Sequence, residues 1–322
     1  MNPMHDKINK HLKGWLPPEL NENIPYGDMP GDKIQIVDVH IKNAKIIFPR
    51  LLAEIKQFLN QSNQEKIVIS VSGGSGVGKS GIAALLSFYL NEAGIGSYTL
   101  SGDNYPHRIP EYNDAERYQF FEKRAFEFLR SEKIYCKEET RLIKELLTMT
   151  PVEANSFVAA SPWLSKAIEA GKKALQSYLG TEKEIDFNEI NQIITDFKNG
   201  ENEIALKRMG RKVGDLWYDL VDFSNTKVLV IEWTHGNNNH LKGIDIPILL
   251  HSTPEETLAS RIERNRDQNT DSVFVDCVLD IEQRLLHTQA HKAKIILTRT
   301  GEIIDYDKYL SLMNTYEREE KL

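Results

Sequence analysis

The sequence predicts an α/β fold in which a parallel sheet of about five strands is flanked by helices. Short runs of apolar and β-branched residues, typical of strands buried on both faces, occur at residues 66–71, 97–100, 227–232, 246–250 and 293–297. Stretches in which apolar residues recur at helical spacing lie between these runs. A glycine-rich segment joins the first run directly to such a helix. Strand, loop, helix and strand then follow within roughly 35 residues, which is the spacing of a right-handed βαβ unit.

The composition favours one large domain with additions and excludes some partners. The chain has 322 residues, of which 40% are hydrophobic and 27% are charged. Its formal net charge of -7 gives no general attraction to polyanions, so we expect no nucleic-acid partner and only a local phosphate site. The two cysteines, Cys136 and Cys277, lack the spacing of a zinc site or of a disulfide framework.

No stretch of the sequence has the pattern of a membrane span, which needs about 20 apolar residues in a row. Residues 1–20 mix charged with apolar residues and lack the apolar core of a signal peptide. We therefore expect a soluble, cytoplasmic protein without a membrane partner. A homo-oligomer is compatible with the sequence.

Three parts of the chain differ in pattern. Residues 1–34 carry several prolines and glycines without steady periodicity, which predicts an irregular N-terminal arm. Residues 35–322 contain every predicted strand and form the main domain. Within that domain, residues from about 111 to 180 have helical periodicity and charged residues between the apolar ones, which predicts an α-helical insertion.

The glycine-rich segment has the composition of a phosphate-binding loop. It consists of Gly73, Gly74, Ser75, Gly76, Val77, Gly78, Lys79 and Ser80. Glycines let a turn wrap round a polyphosphate with its backbone N–H groups pointing inward, and the following helix adds its positive N-terminal end. Lys79 can reach the β- and γ-phosphates, and the Ser80 hydroxyl is placed to ligate Mg²⁺. The segment therefore predicts a site for ATP and Mg²⁺.

Two acids follow predicted strands at the same edge of the sheet as this loop. Asp103 comes just after the strand at residues 97–100, and Glu232 ends the strand at residues 227–232. Ligands of open α/β sheets gather at this edge. Asp103 can accept a proton from an attacking hydroxyl or hold Mg²⁺ through water, and Glu232 can support the metal. The simpler alternatives are an Asx turn at Asp103 and a solvent-facing acid at Glu232.

Four further residues are weaker candidates. Arg261, Arg264 and Arg266 lie on a polar helix followed by a loop-like stretch, so at least one of them can belong to a lid that closes on the transferring phosphoryl group. Arginines on a surface helix are also often only a solvated face. His235 follows Glu232 and can contact a substrate or cap a turn.

In this order the features resemble the uridine kinase and phosphoribulokinase group of P-loop kinases. The resemblance covers most of residues 66–300 and is carried by residues 73–80, 101–105, 185–201, 230–232, 261–267 and 289–296. It implies a P-loop NTPase fold and transfer of the γ-phosphoryl group of ATP to a hydroxyl of a small-molecule substrate. In that mechanism Lys79 and Mg²⁺ stabilise the transferring group, and Asp103 acts as the base.

The sequence departs from this group where the acceptor would bind. Residues 206–212 replace its expected Pro, Tyr, Asp and His pattern, and the insertion has no counterpart. Lys207, Arg208, Arg211 and Lys212 can hold an anionic substrate or form a surface loop. Gly102-Asp103-Asn104 with Arg108 downstream is also similar to adenylylsulfate kinases. A nucleotide-dependent switch or interaction protein is the alternative from another class.

Overall fold

The computed structural model describes residues 3–32, 34–264 and 271–319. The strands, in chain order, are β1 (Ile67–Gly73), β2 (Ser97–Ser101), β3 (Glu203–Met209), β4 (Leu216–Asp222), β5 (Val228–Glu232), β6 (Ile246–Leu250), β7 (Ile295–Leu297) and β8 (Ile303–Ile304). The helices are α1 (Pro3–Leu12), α2 (Asp38–Gln61), α3 (Lys79–Glu92), α4 (Pro110–Ser131), α5 (Lys137–Thr148), α6 (Pro151–Ala160), α7 (Trp163–Gln176), α8 (Phe187–Asn199), α9 (Pro254–Arg264), α10 (Val273–Gln289) and α11 (Tyr306–Glu319).

The central sheet has the strand order β2-β5-β1-β6-β7-β8. All neighbouring pairs are parallel except β7 with β8, which are antiparallel. The register places Glu232 opposite both Val71 and Ser101, so the carboxyl ends of β1, β2 and β5 meet at one edge. The prediction of a parallel α/β sheet of about five strands flanked by helices is confirmed, and the short β8 adds an antiparallel edge.

The sheet is covered on one face by α2 and α3. Every residue of β1 is buried, and so are the ten consecutive residues from Gly81 to Leu90 of α3. This is why the strand reads as a continuous apolar run and why α3 has almost no polar face. The arrangement fixes the loop between β1 and α3 on a rigid base.

The N-terminal arm is not irregular throughout, and the prediction is wrong for the helix α1. Met4 and Ile8 lie one turn apart on this helix and are buried in the same apolar cluster as α2 and α3. Burial of this stripe stabilises a helix that its short length alone would leave marginal. Residues 13–32 of the arm contain neither helix nor strand.

The predicted insertion contains the helices α4, α5, α6 and α7. The helices α4 and α7 cross closely because Gly171 lies against the ring of Phe121, where a Cβ atom would come within 2.6 Å of ring carbons. Val273 and Cys277 of α10 join the same apolar cluster, so the insertion packs onto the main domain. None of the helices in the described ranges is long and apolar enough to cross a membrane.

The basic segment is a strand and a turn, so the alternative of a surface loop is wrong for its first half. Lys207 and Arg208 belong to β3, which pairs with β4 in an antiparallel hairpin, and both are buried. Arg211 and Lys212 lie exposed in the hairpin turn. The apolar neighbours Leu206 and Met209 draw the strand into the core beside the long aliphatic stems of the two basic residues.

Candidate active site

The loop between β1 and α3 has the backbone conformation that a phosphate-binding loop requires. Gly76 and Gly78 have φ angles of 84° and 96°, in the left-handed region that favours glycine. A Cβ atom on Gly78 would also lie 2.6 Å from the ring of His40 on α2. The Lys79 ammonium folds back and donates to the carbonyl oxygen of Gly74 at 3.0 Å. The backbone is therefore held by packing from outside, and the lysine lies over the loop.

Glu232 lies at the centre of the carboxylate edge, which we define as Ser80, Ser101, Asp103 and Glu232. Its carboxylate accepts hydrogen bonds from the hydroxyls of Ser80 at 3.1 Å and Ser101 at 2.9 Å. Burial, reinforced by the charge of Asp103 and opposed by Lys79, raises the pKa of Glu232 to about 8. The structure thus brings together the predicted residues of the loop and of the two neighbouring strand ends.

Asp103 lies in the short turn Gly102–Asn104 that follows β2. Gly102 packs directly against the ring of Trp233, and a Cβ atom there would come within 2.1 Å of a ring carbon. No larger residue fits between this turn and the end of β5 without displacing one of them. The close approach explains how Asp103 and Glu232 come to influence each other's charge.

The residues of the carboxylate edge fit Mg²⁺. Their hydroxyl and carboxylate oxygens are the hard ligands that this ion prefers. Burial is the main cause of the raised pKa of Glu232, and the neighbouring charge of Asp103 adds to the shift while Lys79 opposes it. In the described ranges no cluster of three or more His, Cys, Asp or Glu side chains could hold a metal ion. The expected ligation is therefore one or two protein oxygens completed by water and phosphate oxygens, which is the usual arrangement for Mg²⁺.

Arg261 lies beside the loop, as the lid hypothesis requires, but it is bonded to its own helix. Its guanidinium donates to the carbonyl oxygen of Pro254 and to the hydroxyl of Thr257, both at 2.7 Å. A Cβ atom on Gly76 would lie 3.0 Å from the Arg261 side chain. Arg264 ends α9, and its side chain, like the whole of Arg266, lies outside the described residues. The role of any of these arginines on the phosphoryl group remains a prediction.

A small cavity of about 10 Å³, large enough for roughly one water molecule, lies beside the loop. Its lining consists of Gly74, Ser75, Ser252, Thr253, Pro254, Thr257, Leu279, Glu282 and Gln283. The buried hydroxyl of Ser252 has no hydrogen-bond partner among the described residues. Burial raises the pKa of Glu282, although Arg117 and Lys79 oppose the shift. Glu282 has no local sequence signal, because it lies in the middle of α10.

A buried ion pair without a local sequence signal joins Arg117 of α4 to Glu184, just after the insertion. The Glu184 carboxylate accepts hydrogen bonds from Arg117 Nε at 2.6 Å, from the Asn113 amide at 2.8 Å and from the Gly180 N–H at 2.6 Å. Burial alone would raise the pKa of Glu184, but Arg117 and these hydrogen bonds bring it below its ordinary value. Glu184 is thus a charged and fully bonded group.

His235 lies next to this ion pair, where a side chain on Gly180 would meet its ring. Burial lowers the pKa of His235 to about 4, with Glu184 opposing the shift. The imidazole is therefore neutral at pH 7. The nearby positive charge of Lys79 also contributes to the lowered pKa of His235. The predicted contact of His235 with a substrate stays a prediction.

The arm supplies one more residue that sequence reasoning missed. The Asp28 side chain is only 9% exposed and lies at the end of β2, where it receives hydrogen bonds from Ser101, Asn104, Tyr98 and Arg208. Arg208 also donates to Asp219 at 2.9 Å. Lys207 donates to the carbonyl oxygen of Pro106 at 3.0 Å. Lys207 and Arg208, the buried half of the basic segment, are therefore bonded within the protein. Their charges no longer favour this half as a site for an anionic substrate.

A glycine loop between a buried parallel strand and a helix, with acids at the adjoining strand ends, defines a P-loop nucleotide-binding domain. Comparison with known families agrees, because residues 50–281 match the KAP family P-loop domain. The chain belongs to this family, and the predicted P-loop NTPase fold is confirmed.

One curated relative is the bifunctional alpha-galactosidase/sucrose kinase AgaSK of Mediterraneibacter gnavus, with 35% identity over 256 residues. The aligned part is 80% of this chain and 22% of that protein, so the chain spans about a fifth of this relative's length. The name of the relative agrees with the resemblance to P-loop kinases.

Two solved structures are similar at lower identity. A structure described as a fructose transport system kinase from Silicibacter sp. TM1040 is 13% identical, with a TM-score of 0.45, and covers 74% of this chain and 93% of its own. D-glycerate 3-kinase from Cryptococcus neoformans is 12% identical, with a TM-score of 0.45, and covers 84% of this chain and 98% of its own.

Proposed function

We propose that this chain is an ATP-dependent kinase that phosphorylates a hydroxyl group of a sugar. The observation that carries the proposal is the carboxylate edge, where a P-loop serine and two acids from neighbouring strand ends form one bonded and electrostatically coupled group. The curated relative, whose name includes a sucrose kinase, supports a sugar as the acceptor.

The loop and Lys79 bind the phosphates in this proposal. Backbone N–H groups and the N-terminal end of α3 attract the polyphosphate, and the Lys79 ammonium exchanges the Gly74 carbonyl for phosphate oxygens. Mg²⁺ held by Ser80 and Glu232, with Asp103 nearby, supplies positive charge to the phosphate oxygens when it is bound. Arg261 is close enough to the loop to add charge if its helix shifts towards the nucleotide.

Asp103 is the proposed general base. The acceptor hydroxyl transfers its proton to the Asp103 carboxylate while its oxygen forms a bond to the γ-phosphorus. The bond between that phosphorus and the bridging oxygen breaks, and ADP leaves with the bond's electron pair. The gain from a correctly placed base of this kind is about 10²- to 10⁴-fold in rate.

The charges around the site favour a neutral acceptor. The groups near Lys79 are acidic or neutral, since Glu282 and Asp103 are carboxyl groups and the imidazole of His235 is uncharged at pH 7. The nearby Arg117 is already paired with Glu184, so its charge is balanced without a negatively charged substrate. Polar groups that both accept and donate hydrogen bonds suit a polyhydroxylated ligand.

A substrate screen tests this function. The protein is incubated with ATP and Mg²⁺ and with sucrose, other neutral sugars, uridine, D-glycerate or adenylylsulfate in turn, and ADP and products are measured by mass spectrometry. We expect a sugar that is heavier by one phosphoryl group. ADP without any phosphorylated product would instead support a nucleotide-dependent switch, and phosphorylation of adenylylsulfate alone would support the other kinase class.

The variant Asp103→Asn tests the mechanism with the sugar that the screen identifies. We expect kcat to fall by about 10²- to 10⁴-fold, because the amide cannot accept the proton, while binding of a non-hydrolysable ATP analogue is retained. Asp222→Asn is the matched control, since this exposed acid lies on β4. Unchanged turnover in Asp103→Asn would refute the assignment of the base.

A further inference from the structure

The buried carboxylate of Asp28 joins the arm to the turn that carries Asp103. Its Oδ1 atom accepts a hydrogen bond from the Ser101 N–H at 2.8 Å and another from the Asn104 side-chain amide at 2.9 Å. These two donors lie on either side of Asp103 in the sequence. One oxygen atom therefore bridges both ends of the short turn.

The second oxygen of Asp28 anchors the carboxylate to the hairpin. Oδ2 accepts from the Tyr98 hydroxyl at 3.0 Å and from the Arg208 guanidinium at 2.5 Å. The side-chain oxygen of Asn104 in turn accepts from the Met209 N–H at 2.9 Å. Arm, β2 and β3 are thus linked through a single buried carboxylate, and an aspartate bound on four sides has little freedom to move.

The backbone beside Asp28 also approaches the carboxylate edge. A Cβ atom on Gly27 would lie 3.8 Å from Glu232 and 3.9 Å from the Ser101 side chain. The arm thus lies against Glu232 and Ser101 of the carboxylate edge.

We propose that Asp28 is a positioning residue, which holds the turn Gly102–Asn104 so that Asp103 faces the acceptor hydroxyl. The proposal rests on the role of Asp103 in the proposed function. Proton transfer in a transition state requires the base within hydrogen-bond reach of the attacking oxygen, and displacements near 1 Å can cost about 10²-fold in rate. Asp28 touches neither reactant and acts through Asp103.

Three variants separate this role from a general effect on folding. Asp28→Ala removes both oxygen atoms, whereas Asp28→Asn keeps one oxygen that can still accept from Ser101 and Asn104. Tyr98→Phe is the matched control, because it removes one donor to Oδ2 and leaves the Oδ1 contacts intact. Each variant is made in the full chain, alone and together with Asp103→Asn.

The expected result is a loss in kcat that depends on Asp103. Asp28→Ala should lower kcat by about 10- to 100-fold, with affinity for a non-hydrolysable ATP analogue changed less than about twofold. Asp28→Asn and Tyr98→Phe should stay within about fivefold of the unmodified protein. In the Asp103→Asn background, Asp28→Ala should add less than about a twofold loss, because its effect passes through the residue already removed. An equal loss in both backgrounds, or a parallel loss of nucleotide affinity, would overturn the proposal.

Hydrogen exchange tests the contact without relying on activity. The Ser101 amide donates to Asp28, so its exchange should become faster in Asp28→Ala and stay slow in Tyr98→Phe. Unchanged exchange in Asp28→Ala would show that Asp28 does not hold the turn. If Asp28→Ala does not fold, the same comparison is made with Asp28→Asn, for which fully unfolded-like exchange at Ser101 would refute the bridging role. If Asp103→Asn keeps full turnover, the proposed function fails, while the exchange result still decides whether the turn is held.

Discussion

Two buried glutamates, Glu184 and Glu232, differ in how their charge is satisfied. Glu184, just after the insertion, is bonded to Arg117, Asn113 and a backbone N–H, and its pKa lies below the ordinary value. Glu232 at the carboxylate edge receives two serine hydroxyls and lies near another carboxylate, and its pKa is raised to about 8. Both side chains are buried.

The difference distinguishes Glu184, which stabilises the fold, from Glu232, which is suited to binding a ligand. A buried charge with a full set of partners stabilises the structure around it, and removal of one partner leaves the other uncompensated. A buried carboxylate without a paired cation is destabilised until a cation or proton arrives. The Glu184–Arg117 pair is therefore a completed ion pair, whereas the carboxylate edge brings together acidic groups whose charge is suited to a cation.

Glu184→Gln should have the largest effect on stability. Gln keeps the shape of the side chain but removes the main counter-charge of Arg117, whose guanidinium keeps the longer contact to Asp114 at 3.4 Å. We expect the free energy of unfolding to fall by about 3–5 kcal/mol, as is usual when one partner of a buried ion pair is removed. Urea denaturation at pH 7 measures the loss.

Glu182→Gln is the control for that variant. Glu182 lies two residues away and is 64% exposed at its side chain, where it faces His240 at 3.4 Å. An exposed pair of this kind contributes about 0–1 kcal/mol, so the control should remain close to the unmodified protein. Equal losses of stability in the two variants would mean that the Glu184–Arg117 pair contributes no more than the exposed Glu182–His240 pair.

Glu232→Gln should have the opposite effect on stability and raise the free energy of unfolding. The carboxyl of Glu232 binds its proton more tightly in the folded protein, with a pKa of about 8, than at the ordinary value of 4.5. Its contribution to stability is therefore full below about pH 4.5 and is lost as the pH rises towards 8. Gln cannot ionise, so without nucleotide and Mg²⁺ the variant should be about 1–2 kcal/mol more stable than the unmodified protein at pH 8.

Thermal unfolding at pH 5 and pH 8 measures this difference. The variant should unfold a few degrees higher at pH 8, and the gap should narrow at pH 5, where Glu232 is largely protonated in the folded protein. A lower unfolding temperature for the variant at pH 8 would place Glu232 with Glu184 as a structural residue.

The carboxylate edge was readable from sequence because each of its parts has a local signal. The glycine loop lies between a strand and a helix, β5 ends in Glu232, and Asp103 follows the last residue of β2 by two positions. Parallel strands bring their carboxyl ends to one edge, so the sheet pattern alone places Asp103 near Glu232. The fold class followed from the same buried runs.

The two buried ion pairs had no such signal, because their partners lie far apart in the chain. Glu184 and Arg117 are 67 positions apart, and Asp28 and Arg208 are 180 positions apart. Neither pair has a characteristic spacing, and tertiary packing alone brings them together. The helix α1 was missed for a related reason, since only its contact with α2 stabilises so short a helix.

Substitutions in the hairpin turn should have the smallest effect on stability. Arg211 and Lys212 are exposed, in contrast to Arg208, which is buried between Asp28 and Asp219. Solvent screens exposed charges, so the double variant Arg211→Ala and Lys212→Ala should change the free energy of unfolding by less than about 0.5 kcal/mol. The KM for the acceptor should stay within about twofold.

Arg208→Met provides the contrast in the same experiment, because it leaves the Asp28 carboxylate buried without its guanidinium. We expect this variant to lose stability by about 3–5 kcal/mol. A tenfold rise in acceptor KM for the double turn variant, with stability unchanged, would restore the interpretation that the turn binds an anionic substrate. If the acceptor KM of the double turn variant is unchanged, acceptor recognition would lie away from the hairpin turn, on the side of the loop where Glu282 and His235 lie.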